Sequence, residues 1–214
     1  RFYPYLTDTT ERHTNIMDDH GRRITIYKAL SNDVYIDVER YEEIIKEADI
    51  VVLNIKNYCR KFIPLIKKHQ KPIYVDLHDY DLGNPYHQDF IDAADYVFFS
   101  SDRMPDYLTF MRRMIFSGKQ WVVATHAEKG ASMMDQTGQF VEIDADRIEL
   151  VDTNGAGDNF FAGFVTGLIH GLDPRQSLLM GKLAANACIQ SNKITGKDLS
   201  YSSLMKKISE TEKN

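Results

Sequence analysis

Asp158 is the residue with the most chemical promise in this chain. It sits in DTNGAGDNFFAGF, residues 152–164, directly after Gly155, Ala156 and Gly157 and before an apolar run. The run DNFFAGFVTGLIHG reads as a helix, and IELV at 148–151 reads as a short strand leading to it. The three small residues therefore fall at a helix N-terminus. Backbone N–H groups there have no intrahelical partner, and the helix dipole favours negative charge. Asp158 cannot be a ligand for the same anion, because like charges repel. It suits a general base that takes a proton from a hydroxyl as that oxygen attacks a phosphoryl group held in the cradle. The spacing fits ordinary helix initiation equally well, with Asp158 complementing the dipole, and by itself it leaves both readings open. It does exclude a Walker loop, which needs Lys-Ser/Thr after the last glycine. It also excludes GxGxxG, because Phe160 stands at the third glycine.

The elements that must carry Asp158 follow from the apolar pattern. Residues 13–29 read as two strands joined by an Asp-Asp-His-Gly turn, the second alternating Ile24 and Ile26 with polar neighbours. From residue 31 the pattern becomes strand and helix in turn. VERYEEIIKEA is a helix and DIVVLNI a buried strand. CRKFIPLIKKH is a helix in which Pro64 marks a kink or the first turn. KPIYVDL is a strand, NPYHQDFIDAA a helix started by Asn-Pro, and DYVFFS a strand. MPDYLTFMRRMIFSG is a helix stopped by Gly118, and KQWVVAT a strand. GASMMDQTGQFVEI is a hairpin turning at Thr137-Gly138. Helices follow from Gly155 to His170, from Pro174 to about Ser191 and from Tyr201 to about Glu210. Continuous apolar strands alternating with helices predict a parallel sheet covered on both faces.

Composition removes several function classes. The 214 residues suit one large domain, or a domain with a small appendage. A net charge of −5 with no Lys/Arg block argues against a nucleic-acid partner. The apolar runs Ile50–Leu53 and Tyr96–Phe99 are too short to span a bilayer, and no secretory signal is visible. Cys59 and Cys188 show no CxxC or metal spacing and read as reduced thiols of a cytoplasmic protein. VDLHDYDLGN, residues 75–84, gathers Asp76, His78, Asp79 and Asp81 but fails the EF-hand spacing. It reads as a polar loop at a strand's carboxyl end, where Asp76 is placed to meet a substrate or the lid. Met104, Met111 and Met114 share a helix face and read as packing. The chain opens at Arg1 in what reads as the middle of a fold, so an upstream segment is expected.

DTNGAGDNFFAGF resembles the C-terminal signature of the ribokinase-like (PfkB) carbohydrate kinases, Asp-Thr-x-Gly-Ala-Gly-Asp. VVATHAEKGA resembles the strand and turn that hold the nucleotide in that family. ADYVFFSSDRM resembles the strand leading to the nucleotide's phosphates, and HTNIMDDHGRRITIYKA the lid strands over the sugar. The resemblance thus runs through nearly the whole chain in order. It implies a three-layer αβα sandwich with a mostly parallel central sheet. Residues 1–30 would give partial β lid strands, and residues 31–214 the α/β nucleotide-binding body. It also implies ATP-dependent phosphorylation of a hydroxyl on a small sugar, with Mg²⁺ and, in many members, a monovalent cation such as K⁺. Asp158 then matches the base, and Gly155, Ala156 and Gly157 the anion hole. Asp152 and Thr153 match the motif's start, near the monovalent cation. Thr125, Glu128 and Gly130 match the nucleotide turn. Lys182 falls, by ungapped count, beside the nucleotide base, the alternative being a solvated helix lysine. The exposed edges of the strand pair allow a homodimer through the lid.

The departures from the family pattern are as specific. Many members carry Asn-x-x-Glu after the strand that here reads YVFFS; Ser100 and Arg103 stand there instead, a serine-bearing version that resembles the ketohexokinase-like branch. His126 and Ala127 replace the commoner Leu-Gly. The family's opening strand, substrate aspartate and Gly-Gly segment do not occur in residues 1–214, so the residues that choose the acceptor are expected upstream. Within the fold, a nucleoside or amino-sugar kinase is the alternative. Outside it stand a truncated, catalytically silent nucleotide-binding relative and a dinucleotide-binding oxidoreductase, the last disfavoured by the failed glycine pattern.

Overall fold

A computed structural model describes residues 12–17, 23–28, 36–197 and 199–211. The Asp-Asp-His-Gly turn lies outside the described residues. Its flanking strands, β1 (Arg12–Met17) and β2 (Arg23–Lys28), pair antiparallel with Asn15 opposite Thr25 and Ile16 opposite Ile24. They form a small sheet of their own.

The body alternates as the apolar pattern predicts. In order come α1 (Glu42–Glu47), β3 (Val51–Val52), α2 (Ile63–Lys68), β4 (Ile73–Asp76), α3 (Gln88–Ala93), β5 (Tyr96–Ser100), α4 (Tyr107–Phe116) and β6 (Trp121–Thr125). The hairpin β7 (Ala131–Asp135) and β8 (Phe140–Ile143) follows, then α5 (Ala156–Ile169), α6 (Pro174–Ile189) and α7 (Tyr201–Thr211). The six strands lie side by side in chain order, β3 to β6 parallel, β7 and β8 antiparallel. Strand alternation divides the core in two. Val75, Val97, Phe99 and Val122 face Ile66, Phe90, Phe110 and Met111, so α1 to α4 cover one side. Tyr74, Phe98, Val123 and Met133 face Phe160, Phe164, Leu178 and Leu204, so α5 to α7 cover the other. The crossovers from β3 to β6 share one face because parallel connections keep one hand. Met104, Met111 and Met114 are buried in the first core, as expected of packing residues.

One open alternative closes and two local expectations change. Pro64 sits in the first turn of α2 and does not kink it. The strand expected over DIVVLNI shrinks to two residues with Val52 54% exposed, because β3 is the edge of the described sheet and pairs only with β4. IELV forms no strand. The N–H groups of Val151 and Asp152 donate instead to the Ile189 carbonyl, 3.0 and 3.1 Å away. That carbonyl belongs to the last turn of α6, which lacks intrahelical donors, so the approach to α5 caps a helix instead of extending the sheet.

α5 is held tightly against α6. A Cβ on Gly163 would lie 2.8 Å from the Met180 carbonyl oxygen, and one on Gly181 would lie 2.8 Å from that of Phe160. Phe164, fully buried between them and the sheet, contributes about 2 kcal/mol by leaving water. This packing fixes where the first turn of α5 points.

A candidate active site at the carboxyl ends of the parallel strands

β4, β5 and β6 end along one edge of the sheet, at Asp76, Ser100 and Thr125. The N-terminus of α5 reaches the same edge. Ligand atoms of Asp76, His78 and Asp158 all lie within 4.8 Å of one another, although Asp158 is 80 residues away in the chain. Asp158 is exposed. Asp76 is one-fifth exposed, and its Oδ2 lies 3.5 Å from His78 Nδ1. His78 is one of few non-glycine residues with a left-handed backbone, φ +53. Its N–H donates to Asp76 Oδ1 at 2.8 Å, and its carbonyl accepts from the Ser100 N–H at 2.8 Å. These bonds turn the ring back onto Asp76. Burial pushes the Asp76 carboxyl above its ordinary value; the His78 ring opposes this, and the charges of Asp158 and Asp79 add to it.

The glycines before Asp158 do different jobs. Gly155, the residue before α5, has φ +78, and a Cβ there would meet the Ile194 carbonyl oxygen at 3.1 Å. A Cβ on Gly157 would meet nothing within 4 Å, so Gly157 fronts open space. The Ala156 N–H donates to the Thr153 carbonyl at 3.2 Å, and the first helical bond runs from Asn159 N–H to Gly155 at 2.9 Å. Gly157 and Asp158 therefore carry N–H groups without an intrahelical partner in the first turn of α5. Asp152 and Thr153 are half-buried beneath it, and Asp152 Oδ1 accepts from the Asn154 N–H at 2.8 Å.

Two residues hold this loop, Asn159, to which the sequence assigned no role, and Cys188, read only as a reduced thiol. Buried Asn159 donates from Nδ2 to the carbonyls of Gly155 and Ile194, both at 2.8 Å. The Cys188 thiol, free like Cys59, donates to the Asn154 carbonyl at 3.2 Å. The strand pair reaches the loop: Asn15 Nδ2 donates to Asn154 Oδ1 at 2.9 Å, and the Thr25 hydroxyl donates to Asn15 Oδ1 at 2.8 Å. The position of Asn159, one residue beyond Asp158 in the motif, was the only signal available for it.

Thr125, Glu128 and Gly130 form a second group at the end of β6, two strands and so about 10 Å along the edge from β4. Glu128 is exposed, and the Thr125 carbonyl accepts from the Ser101 N–H at 2.9 Å. Gly130 has φ +106, and a Cβ there would lie 2.0 Å from the Ile143 carbonyl oxygen. Lys182 reaches Asp146. Its Nζ is 2.7 Å from Asp146 Oδ1, and its side chain is only 15% exposed. Asn186 Nδ2 holds the other oxygen of Asp146 at 2.7 Å. The alternative of a solvated helix lysine is thereby corrected: Lys182 is ion-paired and largely covered. Among the described residues, no helix is long and apolar enough to cross a membrane.

The pfkB family carbohydrate kinase pattern matches residues 2–198. The chain is 26% identical over 190 residues to the acarbose 7(IV)-phosphotransferase of an Actinoplanes species, covering 84% of this chain and 62% of that protein. It is 27% identical over 183 residues to the fructoselysine 6-kinase of Escherichia coli strain K12, covering 84% and 67%. The solved structure of a microbiome-derived acarbose kinase superposes with a TM-score of 0.81 at 26% identity, over 94% of this chain and 69% of that one. This chain thus spans under two thirds of the first of these relatives and little more of the others. The layered sheet with its small separate strand pair is the ribokinase-like architecture. With the matched pattern running through the strand pair, both groups at the strand ends and the first turn of α5, the chain belongs to the pfkB family of carbohydrate kinases.

Proposed function

We propose that this chain carries the phosphoryl-transfer centre of an ATP-dependent kinase that phosphorylates a hydroxyl of a small sugar. The observation that carries the reading is the exposed Asp158 carboxylate beside Gly157, whose outer side is open, at a helix N-terminus on the carboxyl edge of the sheet. The acceptor's O–H gives its proton to Asp158 as its oxygen forms a bond to the γ-phosphorus. The bond from that phosphorus to the bridging oxygen breaks, and ADP leaves with the electron pair. The N–H groups at Gly157 and Asp158, with Gly155 and Ala156 shaping the turn, meet the charge that builds on the transferred group. His78, whose ring lies against Asp76 and Asp158, is placed to hold a neighbouring group of the acceptor.

Kinases of this family use ATP, typically with Mg²⁺. Asp76 and Asp158 supply hard oxygen donors of the kind Mg²⁺ accepts alongside phosphate oxygens and water, and the donor set fits that cation. Asp76 is the residue to hold it, since Asp158 is assigned to the proton. When bound, Mg²⁺ neutralises charge on the phosphates. In the same reading Thr125, Glu128 and Gly130 shape the nucleotide turn, Lys182 lies beside the base, and Asp152 and Thr153 adjoin a K⁺ site. Residues 1–30 act as lid and 31–214 as body, in a cytoplasmic enzyme. A homodimer through the lid would cover Ile16, Ile24 and Ile26, which are 56–70% exposed on one face of the strand pair.

The test is Asp158→Asn in the full-length protein, assayed with magnesium-ATP and a panel of sugars and amino sugars. Transfer falls about a thousandfold while the melting temperature holds. A variant that transfers phosphate at the parent rate overturns the reading.

A further inference from the structure

We infer that His126 is a positioning residue for the nucleotide: its buried ring bonds Ser101 and Ser132 and so holds Thr125 and Glu128 in the shape that meets ATP. The inference rests on the kinase reading above and adds a residue to it. His126 is 8% exposed, and its ring centroid lies 4.4 Å from that of Tyr107. Nδ1 is 2.7 Å from Ser101 Oγ in the loop after β5, and Nε2 is 2.8 Å from Ser132 Oγ in β7. One ring thus ties together the three segments around the turn. The proton positions follow from the neighbours. The Ser132 hydroxyl donates to Met111 Sδ at 3.9 Å, which leaves its oxygen to accept from Nε2–H, and Nδ1 then accepts from the Ser101 hydroxyl.

The turn needs such a tie because its backbone is strained. Ala127, without a glycine's freedom, has φ +49, and Gly130 has φ +106. A non-glycine residue stays in the left-handed region only where its surroundings impose it. Here the His126 N–H donates to the Gly130 carbonyl at 2.8 Å, the Lys129 N–H returns to His126 at 3.0 Å, and the Ser101 N–H takes the Thr125 carbonyl at 2.9 Å. Ser101 thereby grips the turn twice, through its backbone to Thr125 and through its hydroxyl to the ring. A leucine at 126 would fill the space but leave the fully buried Ser132 oxygen without its donor.

The experiment compares His126→Leu, Ser101→Ala and His126→Gln in the full-length protein, measuring magnesium-ATP affinity by calorimetry and phosphoryl transfer at saturating ATP. Ser101 is half-buried, so its variant keeps the test alive should His126→Leu not fold. The first two weaken ATP binding about tenfold, as loss of a buried hydrogen bond predicts, with acceptor KM and saturating rate unchanged. His126→Gln, which keeps one donor and one acceptor, recovers much of the affinity. Unchanged ATP affinity in both His126→Leu and Ser101→Ala overturns the inference and leaves the kinase reading intact. So does a saturating rate that falls together with affinity and melting temperature, the mark of a histidine that only stabilises the fold. A parent protein that binds no magnesium-ATP overturns the kinase reading, and this inference with it.

Discussion

The loop after β4 and the turn after β6 leave the same edge of the same sheet, yet they treat an ionisable group in opposite ways. The first keeps the Asp76 carboxyl close to a second acid, Asp158, with the half-exposed His78 ring and the His78 N–H to compensate. Burial and these neighbours push that carboxyl up, so its charge is held at a cost. The second encloses a neutral imidazole with a hydrogen bond at each nitrogen, and burial pushes His126 down. The difference separates two tasks. In the proposed reading, a group that meets an incoming ligand is left under-compensated, and a group that holds a shape is fully satisfied.

The largest effect that could break this contrast lies at Gly130. Gly130→Ala sets a Cβ against the Ile143 carbonyl in a backbone region that alanine rarely adopts. It destabilises the protein by about 3 kcal/mol or more, measured by denaturant unfolding. A loss below about 1 kcal/mol means that the turn after β6 is pliable and the contrast is false.

Asp76 and His126 give an intermediate effect of opposite sign with pH. A carboxyl whose folded value is raised contributes stability that is fully present below the ordinary aspartate value of 3.8 and lost as pH rises through the folded value. Asp76→Asn therefore raises the melting temperature at neutral pH by about 2–4 °C, and the gain vanishes as pH falls toward 3.8. The groups facing Asp76 are His78 and Asp79 on its own loop and Asp158 on α5. A base whose folded value is lowered contributes stability present above the ordinary histidine value of 6.5 and lost as pH falls below it. Asp102, Glu142 and Lys129 face His126, and His126→Gln removes that acid loss. Melting curves from pH 4 to 8 check both, and parallel curves for the two variants sink the comparison.

The smallest effect belongs to Lys182. Lys182→Met breaks a 2.7 Å contact to an Asp146 carboxylate that is 43% exposed and still held by Asn186. Stability falls by under about 1 kcal/mol. A severalfold rise in ATP KM assigns Lys182 to the nucleotide as well; an unchanged KM assigns it to the segment that Asp146 anchors.

Much of the fold was legible because apolar periodicity records which faces are buried. The strands at Tyr96–Ser100 and Trp121–Thr125 and the helix at Ala156–Ile169 all fall where continuous or helical spacing put them. IELV misled because its residue types favour a strand, whereas its backbone donors answer the α6 terminus. The site was legible in part. Asp158 was a candidate from small residues at a helix start, and only the family resemblance chose between its two readings. Asp76 was named only as a candidate, because nothing local says that residue 158 comes to meet it.

The order of residues alone determined the alternation of strand and helix, the two-sided cover of the sheet and the glycines at 155 and 157, because each depends on side-chain size and period over a few neighbours. Only the tertiary structure decided which of those glycines is structural and which fronts open space. It alone brought Asp76 and His78 to Asp158, and closed Ser101, His126 and Ser132 into one chain of hydrogen bonds. Those outcomes depend on how strands far apart in sequence end at a common edge, and short-range pattern does not encode that distance.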